Sequence, residues 1–217
     1  MPYIQLSRRA RRASLLASLT LVSAMVSAVP AMADDDGLVA STTTASQQEC
    51  MAPVLSQPFS DLKDNRHYVL APGGDFSNPN GGGWQFFGGA HVANDTTPDG
   101  NSGGTLEMPS GSTAVSPVMC VDMTYPTARL WARTLGGDGD VSVSVSYAGT
   151  KTELSPQEVG HVKGDRQRWR LSGDLQIKPQ LAGKADGWRK VAFVLEAGGK
   201  TGQFQVDDFY VDPRMSR

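Results

Sequence analysis

The chain has 217 residues, among them 24 glycines, 13 prolines, two cysteines and four tryptophans, and its formal net charge is −2. This length suffices for one domain with a proper hydrophobic core once a targeting segment is set aside. A charge near zero without a basic excess argues against a general attraction to nucleic acid or to anionic membranes.

Residues 1–33 have the layout of a secretory signal peptide. Four arginines form its positive region, an apolar stretch from Ala13 to Val29 follows, and Ala31 and Ala33 supply the small residues of a cleavage site. The stretch is short for a membrane span. We therefore expect cleavage before Asp34 and a secreted, extracellular product with no membrane span. Without the segment the chain has 16 basic and 22 acidic residues, a net charge of −6.

The remaining chain divides into a polar lead-in, one domain and a short tail. Residues 34–48 have few large apolar side chains and no periodicity, and they are predicted to be disordered. The domain is predicted over residues 49–213, and residues 214–217 form the tail. Cys50 and Cys120 are an even pair in an exported chain, which predicts a disulfide. Closing this loop of about 70 residues would contribute on the order of 4 kcal/mol; the alternative is two buried thiols.

Short alternating runs with scarce helical periodicity predict an all-β fold. Val141, Val143, Val145 and Tyr147 alternate with serines, which is the pattern of a strand with one buried face. Similar strand-like runs recur along the chain at His67–Ala71, Trp84–Ala93, Ser112–Val121, Thr127–Thr134, Trp188–Ala197 and Gln203–Val211. The sequence predicts an antiparallel β-sandwich of roughly eight to ten strands.

Three segments carry a resemblance to a known fold family. Tyr68–Trp84 resembles the opening segment, and Phe204–Val211 the closing strand, of galactose-binding-like jelly rolls, the fold of many carbohydrate-binding modules. Cys120–Thr134 is similar to the middle of the same fold. The resemblance covers roughly residues 50–213 and is closest to small secreted actinobacterial proteins. It implies a jelly-roll β-sandwich and a non-catalytic binding domain whose partner is an extracellular or cell-wall glycan.

The same resemblance implies a structural calcium ion between the first and last strands. Carried over by position, its ligands are Asp75 and Asp207, with backbone carbonyls supplying the remaining oxygen atoms. Ser77 departs from the family, which usually offers an acidic residue there. The alternative is that Asp207 hydrogen-bonds the backbone at a strand bulge.

The sequence contains no recognisable catalytic motif, so the chain is predicted not to be an enzyme. His67, His91 and His161 are widely separated, no serine lies in a Gly-x-Ser-x-Gly elbow, and glutamate is scarce. A divergent hydrolase is the less favoured alternative, because it would need two carboxylates facing each other across a cleft. A structural or protein–protein interaction role outside the cell is the other alternative, and an exposed apolar patch would favour it.

Aromatic side chains near turns are the candidate platforms for a sugar ring. Trp84, Phe86 and Tyr125 are predicted to be exposed and to bind the ligand, whereas Trp131, Trp169 and Trp188 are predicted to lie mostly in the core. Arg166, Arg168 and Arg170 alternate along one further predicted strand. One interpretation is that they bind an acidic polymer or sulfate. The interpretation that we favour from the sequence is that their charge protects an edge strand against aggregation.

Overall fold

Two β-sheets with a shared apolar interior make up the part of the chain that the computed structural model describes, residues 53–122, 126–147, 156–178 and 188–213. In chain order the strands are β1 (Val69–Leu70), β2 (Gln85–Phe87), β3 (His91–Thr96), β4 (Ser102–Pro109), β5 (Thr113–Val115), β6 (Met119–Asp122), β7 (Thr127–Gly136), β8 (Val141–Tyr147), β9 (Gln157–Val162), β10 (Asp165–Arg166), β11 (Arg170–Leu171), β12 (Leu175–Gln176), β13 (Trp188–Ala197) and β14 (Gln203–Asp212). Short 3₁₀ turns lie at Ser60–Leu62 and Gly81–Gly83.

The first sheet has the order β10-β7-β14-β4-β3, with β1 paired to β14 and with β11 and β12 paired to β7. The second sheet has the order β2-β5-β13-β8-β9, with β6 paired to β13. All pairings are antiparallel except that of β10 with β7. This topology confirms the predicted all-β, antiparallel jelly-roll sandwich. The described residues form 14 strands and not the predicted eight to ten, because several short two-residue strands pair at the edges of the longer ones.

Strict alternation of side chains explains how the two long central strands of the second sheet bury one face. Val143 and Val145 of β8 are fully buried, while the serine between them, Ser144, lies on the opposite face. Phe193 and Leu195 of β13 pair with these valines and are also fully buried. Because successive side chains of a strand point to opposite faces, each strand contributes every second residue to the core.

The last strand, β14, lies between β7 and β4 in the middle of the first sheet. Its register with β7 shifts between Asp207 and Tyr210, and Asp208 has a φ of 49°. This bulge keeps both Val206 and Phe209 fully buried although three positions separate them. Beyond the bulge, Val211 pairs with Val69 of β1, so the opening and closing segments are neighbours, as the resemblance implied.

Several sequence-based predictions fall outside the described residues. The signal peptide, the lead-in, the tail and Cys50 are among them, so the disulfide with the half-buried Cys120 of β6 stays a prediction. Among the described residues there is no free cysteine. A search of the same residues for a helix with the length and apolar character needed to cross a bilayer finds none.

Candidate functional site

A cleft of about 1150 Å³ opens where strands of both sheets end. Its walls come from the segment before β1, the beginnings of β7 and β13, and the end of β14. The lining residues are Pro53, Leu55, Lys63, Asp64, Asn65, Arg66, His67, Arg129, Trp188, Asp212 and Pro213. The half-buried Trp188 is the single aromatic side chain among them. Apolar, polar and charged groups thus surround one volume.

Asp64 is the centre of a dense hydrogen-bond network in the cleft. Its Oδ2 accepts from Tyr68 Oη at 2.7 Å and pairs with Arg66 Nη2 at 2.7 Å and Arg129 Nη1 at 2.6 Å. The hydrogen bonds from Arg66, and further ones from Tyr68 and Arg129, hold the pKa of Asp64 well below its usual range against the opposing effect of burial. A carboxylate in this state is ionised at neutral pH and is a poor proton donor.

The two arginines around Asp64 are themselves fixed in place. Arg66 Nη1 and Nη2 donate to the two carboxylate oxygens of Asp174, both at 2.8 Å, which is a bidentate pair. Arg129 Nε and Nη2 donate to the carbonyl of Ser172 at 3.0 and 2.8 Å, and its guanidinium lies 5.3 Å from the centre of the Phe59 ring. The cleft is therefore lined by polar groups whose orientation is set before any ligand arrives.

Asp64→Asn tests this network. We expect the free energy of unfolding at neutral pH to fall by about 2–3 kcal/mol, because two guanidinium groups lose their shared anion. Since the folded pKa lies below the ordinary aspartate value of 3.8, the carboxylate's stabilisation is present above that value and is lost as the pH falls further. Urea unfolding across this pH range should show the difference between wild type and variant shrinking towards acid. A difference that is constant with pH would contradict the ionic origin, and Asp61→Asn, an exposed site in the same segment, is the control.

The cleft offers chemistry suited to binding a molecule with both an apolar face and hydroxyl groups. The Trp188 indole is a flat apolar surface, and the arginines supply donors in fixed directions. His67 is the one histidine in the lining. The exposed His161 instead contacts Asp140 at 3.3 Å and Glu158 at 3.0 Å on the second sheet.

The structure corrects the prediction that Trp84 is an exposed platform. Its side chain is only 4% exposed, with its ring 5.1 Å from Phe76 and 6.0 Å from Phe209, and its Nε1 donates to the Pro72 carbonyl at 2.9 Å. The cause is the preceding turn Gly81–Gly83, whose φ angles of 59° to 99° turn the chain inward. Phe86 is half-buried against the core, and Tyr125 lies outside the described residues.

The prediction that Trp131, Trp169 and Trp188 lie in the core is also wrong. All three are half-buried and lie outside the apolar core cluster. Along β7, Leu130 and Ala132 point inward, so Trp131 between them must point outward. Trp188 likewise has the outward parity of β13, since the buried Val191 is three positions away. This alternation was a signal that the sequence contained.

The predicted calcium ligands belong to an acidic cluster next to the bulge of β14. Asp207 is 2% exposed, and burial, together with the charges of Asp208, Asp75 and Asp99, raises its pKa to about 8. Burial and the charges of Asp75 and Asp99 raise the pKa of Asp208 to about 6. Asp207 Oδ1 accepts from the Asp208 N–H at 2.8 Å, as the alternative reading expected.

The negative charge of this cluster suits a hard cation, but the cluster does not supply a full set of side-chain ligands. Within the described residues no three His, Cys, Asp or Glu side chains are grouped closely enough to hold a metal ion. Asp75 also accepts hydrogen bonds from the Ser77 backbone and hydroxyl groups at 3.4 and 3.0 Å. Carbonyl oxygens would have to complete the coordination of a calcium ion.

Comparison with known proteins yields similarity of structure only. No family model matches the sequence. No curated protein matches it either. The structure is similar to the xylan-binding family 22 carbohydrate-binding module of Xyn10C from Paenibacillus barcinonensis, with 12% identity and a TM-score of 0.46 over 65% of this chain and 93% of that one.

Two further solved structures extend the comparison. The family 11 carbohydrate-binding module of Lic26A-Cel5E from Clostridium thermocellum has 13% identity and a TM-score of 0.41, over 77% of this chain and 99% of that one. The glycoside hydrolase domain of Endo-D from Streptococcus pneumoniae has 13% identity and a TM-score of 0.37, over 62% of this chain and 22% of that one. Similarities this low carry no argument about function, and they give no support to a special closeness to actinobacterial proteins.

Proposed function

We propose that the chain is a secreted, non-catalytic domain that binds carbohydrate in the cleft beside Trp188. The observation that carries this proposal is a half-buried indole in a cleft of about 1150 Å³ whose hydrogen-bonding groups are already fixed. A sugar ring has apolar faces and a rim of hydroxyl groups, so its binding requires an apolar surface and oriented polar groups together.

The non-catalytic part of the proposal is supported by the electrostatics of Asp64, one of the two carboxylates that line the cleft with Asp212. A glycosidase needs one carboxylic acid with a raised pKa to protonate the leaving group. Asp64 has the opposite property, because its pKa is lowered by the hydrogen bonds from Arg66 and by those from Tyr68 and Arg129. Export is supported by the signal-like first 33 residues and by the paired cysteines.

Retention on insoluble polysaccharides tests the proposed function. The mature chain, residues 34–217, is incubated with a panel of extracellular and cell-wall polymers, and the bound fraction is measured with and without the matching oligosaccharide. We expect retention on at least one polymer and its release by the oligosaccharide. Absence of retention on every polymer would contradict the proposal.

Trp188→Ala should weaken binding to the retained polymer by about tenfold or more, since removal of an aromatic group at the centre of a binding site typically costs at least 1.4 kcal/mol. The melting temperature should change little, because the side chain lies outside the core cluster. Phe87→Ala, which removes a 53% exposed ring from β2 of the second sheet, is the matched control and should bind normally. Equal binding by wild type and Trp188→Ala would place the ligand elsewhere.

We also propose that Asp75 and Asp207 hold a structural calcium ion together with backbone carbonyls. The acidic surroundings of the buried Asp207 support this, because a divalent cation would offset the charges that raise its pKa. A disulfide between Cys50 and Cys120 remains part of the proposal, and it predicts no free thiol in the denatured, unreduced protein.

A role in protein–protein contact is the second candidate function. Val54 is 92% exposed, and Leu55 and Leu62 of the same segment are exposed as well, beside the wall of the cleft that Leu55 forms. Exposed apolar side chains on neighbouring residues, here Val54 and Leu55, are typical of a surface that contacts another protein. Failure of every polysaccharide in the retention assay would favour this candidate.

A further inference from the structure

A short basic segment lies at the edge of the first sheet. Lys163, Arg166, Arg168 and Arg170 are all exposed, and Asp165 is the only acidic residue among residues 163–170. Arg170 Nη2 lies 3.6 Å from Asp165, which also accepts from the Arg166 backbone N–H, and no carboxylate in the described part of the chain forms a salt bridge with the guanidinium of Arg166 or Arg168. This concentration of positive charge stands out in a chain with more acidic than basic residues.

The segment is not the regular strand that its alternation predicted. Arg166 pairs with Thr134 of β7 in parallel, Gln167 turns the chain with a φ of 58°, and Arg170 pairs with Ala132 of the same strand in antiparallel. Two positions on β7 separate the partners of Arg166 and Arg170, which corresponds to about 7 Å along the edge. The turn therefore places the two arginines in a row.

A polar network on the outer face of the first sheet anchors this turn. Trp169 Nε1 donates to the Thr96 carbonyl at 2.8 Å, and its ring lies 4.7 Å from the guanidinium of Arg133. Arg133 is only 8% exposed, donates to Gln205 Oε1 at 2.6 Å and pairs with Asp95 at 2.9 Å. These contacts hold Trp169 against β3 and β7, and Gln205 extends the network to β14.

Protection of an edge strand does not require that the backbone of this segment be held in place. Flexible charged side chains suffice to keep an edge strand from pairing with another chain. Holding the backbone between the arginines reduces the entropy that is lost when a ligand binds them. The planar guanidinium group also matches the geometry of carboxylate, sulfate and phosphate groups.

The backbone that follows the arginines is hydrogen-bonded to the wall of the cleft. The Ser172 carbonyl, two residues after Arg170, accepts hydrogen bonds from Arg129, which lines the cleft. The Ser172 N–H donates to the Leu130 carbonyl, so the path from the cleft to Arg166 follows β7 from Leu130 to Thr134. Four residues of strand span about 13 Å.

We infer that Arg166, Arg168 and Arg170 bind the anionic groups of an acidic polysaccharide whose chain also occupies the cleft. This inference rests on the proposed function and specifies its ligand as a polymer that carries carboxylate, sulfate or phosphate groups.

The test compares charged polymers with neutral counterparts of the same backbone. Polygalacturonate with its methyl ester, and chondroitin sulfate with desulfated chondroitin methyl ester, are titrated with the purified protein at low and at physiological salt. Single-stranded DNA is included as a non-carbohydrate polyanion. We expect at least one acidic polysaccharide to bind more tightly than its neutral counterpart, with an affinity that falls as salt rises.

In the triple variant Arg166→Gln, Arg168→Gln, Arg170→Gln, affinity for that polymer should fall about tenfold at low salt, and its salt dependence should become shallower. Binding to the neutral counterpart and the melting temperature should stay unchanged. Lys178→Gln with Lys200→Gln, which removes exposed charges elsewhere, is the control.

The outcomes separate the inference from the proposed function. Unchanged affinity of the triple variant, or equal binding of charged and neutral polymers, would overturn the inference and leave the proposed function standing. Full affinity of Trp188→Ala for every carbohydrate would overturn the proposed function itself. Binding of DNA as tight as that of the polysaccharide, lost in the triple variant, would show an unspecific polyanion site and overturn the inference.

Discussion

Replacing Trp84 with alanine lowers the free energy of unfolding by about 3–5 kcal/mol in our expectation, the largest effect of any single change considered. The side chain is 4% exposed and lies between Phe76 and Phe209, so its removal leaves a large cavity beneath the first sheet's last strand. It also leaves the Pro72 carbonyl without its indole donor. Urea unfolding followed by circular dichroism measures the loss.

Trp131→Ala is the matched control for this prediction. Trp131 is half-buried on the outer face of the same sheet and is not part of the core cluster, so its loss should be clearly smaller. If Trp84→Ala melted like wild type and bound carbohydrate less well, the buried position of Trp84 would be wrong and the platform predicted from the sequence would be right.

Asp207→Asn should stabilise the calcium-free protein at high pH. The folded pKa of Asp207, about 8, lies above the ordinary aspartate value of 3.8, so the protonated form is favoured by folding. The stabilisation of the fold by the protonated carboxyl group is fully present below pH 3.8 and is lost as the pH rises through about 8. Above that pH we expect the asparagine variant to exceed wild type by about 2–4 kcal/mol, because it buries no charge.

Calcium should stabilise the wild-type protein more than the Asp207→Asn variant. Wild-type protein above pH 8 should gain several degrees in melting temperature when calcium is added after chelation, because the cation offsets the cluster's negative charge. The variant should gain little, and Asp61→Asn, at an exposed site, should behave like wild type. Melting curves with and without calcium provide the measurement. A calcium response that is the same in wild type and Asp207→Asn would remove Asp207 from the site.

Strand alternation made most of the fold predictable from sequence. The valines of β8 and the apolar parity of β13 predicted which side chains enter the core, and the structure buries Val143, Val145, Phe193 and Leu195. The same rule, applied to β7, would have placed Trp131 outward. The prediction failed there because a large aromatic residue was assigned to the core by its type and not by its parity.

The prediction that Trp84 is exposed failed for a different reason. The neighbours of Trp84 in sequence are glycines, which are typical of an exposed loop. In the folded chain the positive φ angles of Gly81–Gly83 instead form a tight turn that returns the indole to the core. Residue types predicted the turn but not the direction in which the chain leaves it.

The cleft itself was beyond the reach of the sequence. Arg66 and Asp174 are 108 positions apart, and Arg129 and Asp64 are 65 positions apart, yet both pairs make direct hydrogen bonds. Nothing in the local sequence pairs these charges, because their contacts follow from the order of the strands in the first sheet. The ligand-contacting role that we propose for Trp188 depends on that same long-range arrangement.

The indole N–H signals in a two-dimensional NMR spectrum test the central claim, that carbohydrate occupies the cleft, most directly. The chain has four tryptophans, and Trp188 is the one that lines the cleft. Titration with the oligosaccharide that competes for the retained polymer should shift the Trp188 signal and leave that of the buried Trp84 unchanged. A titration that shifts the signals of Trp131 or Trp169 and leaves that of Trp188 in place would contradict the account.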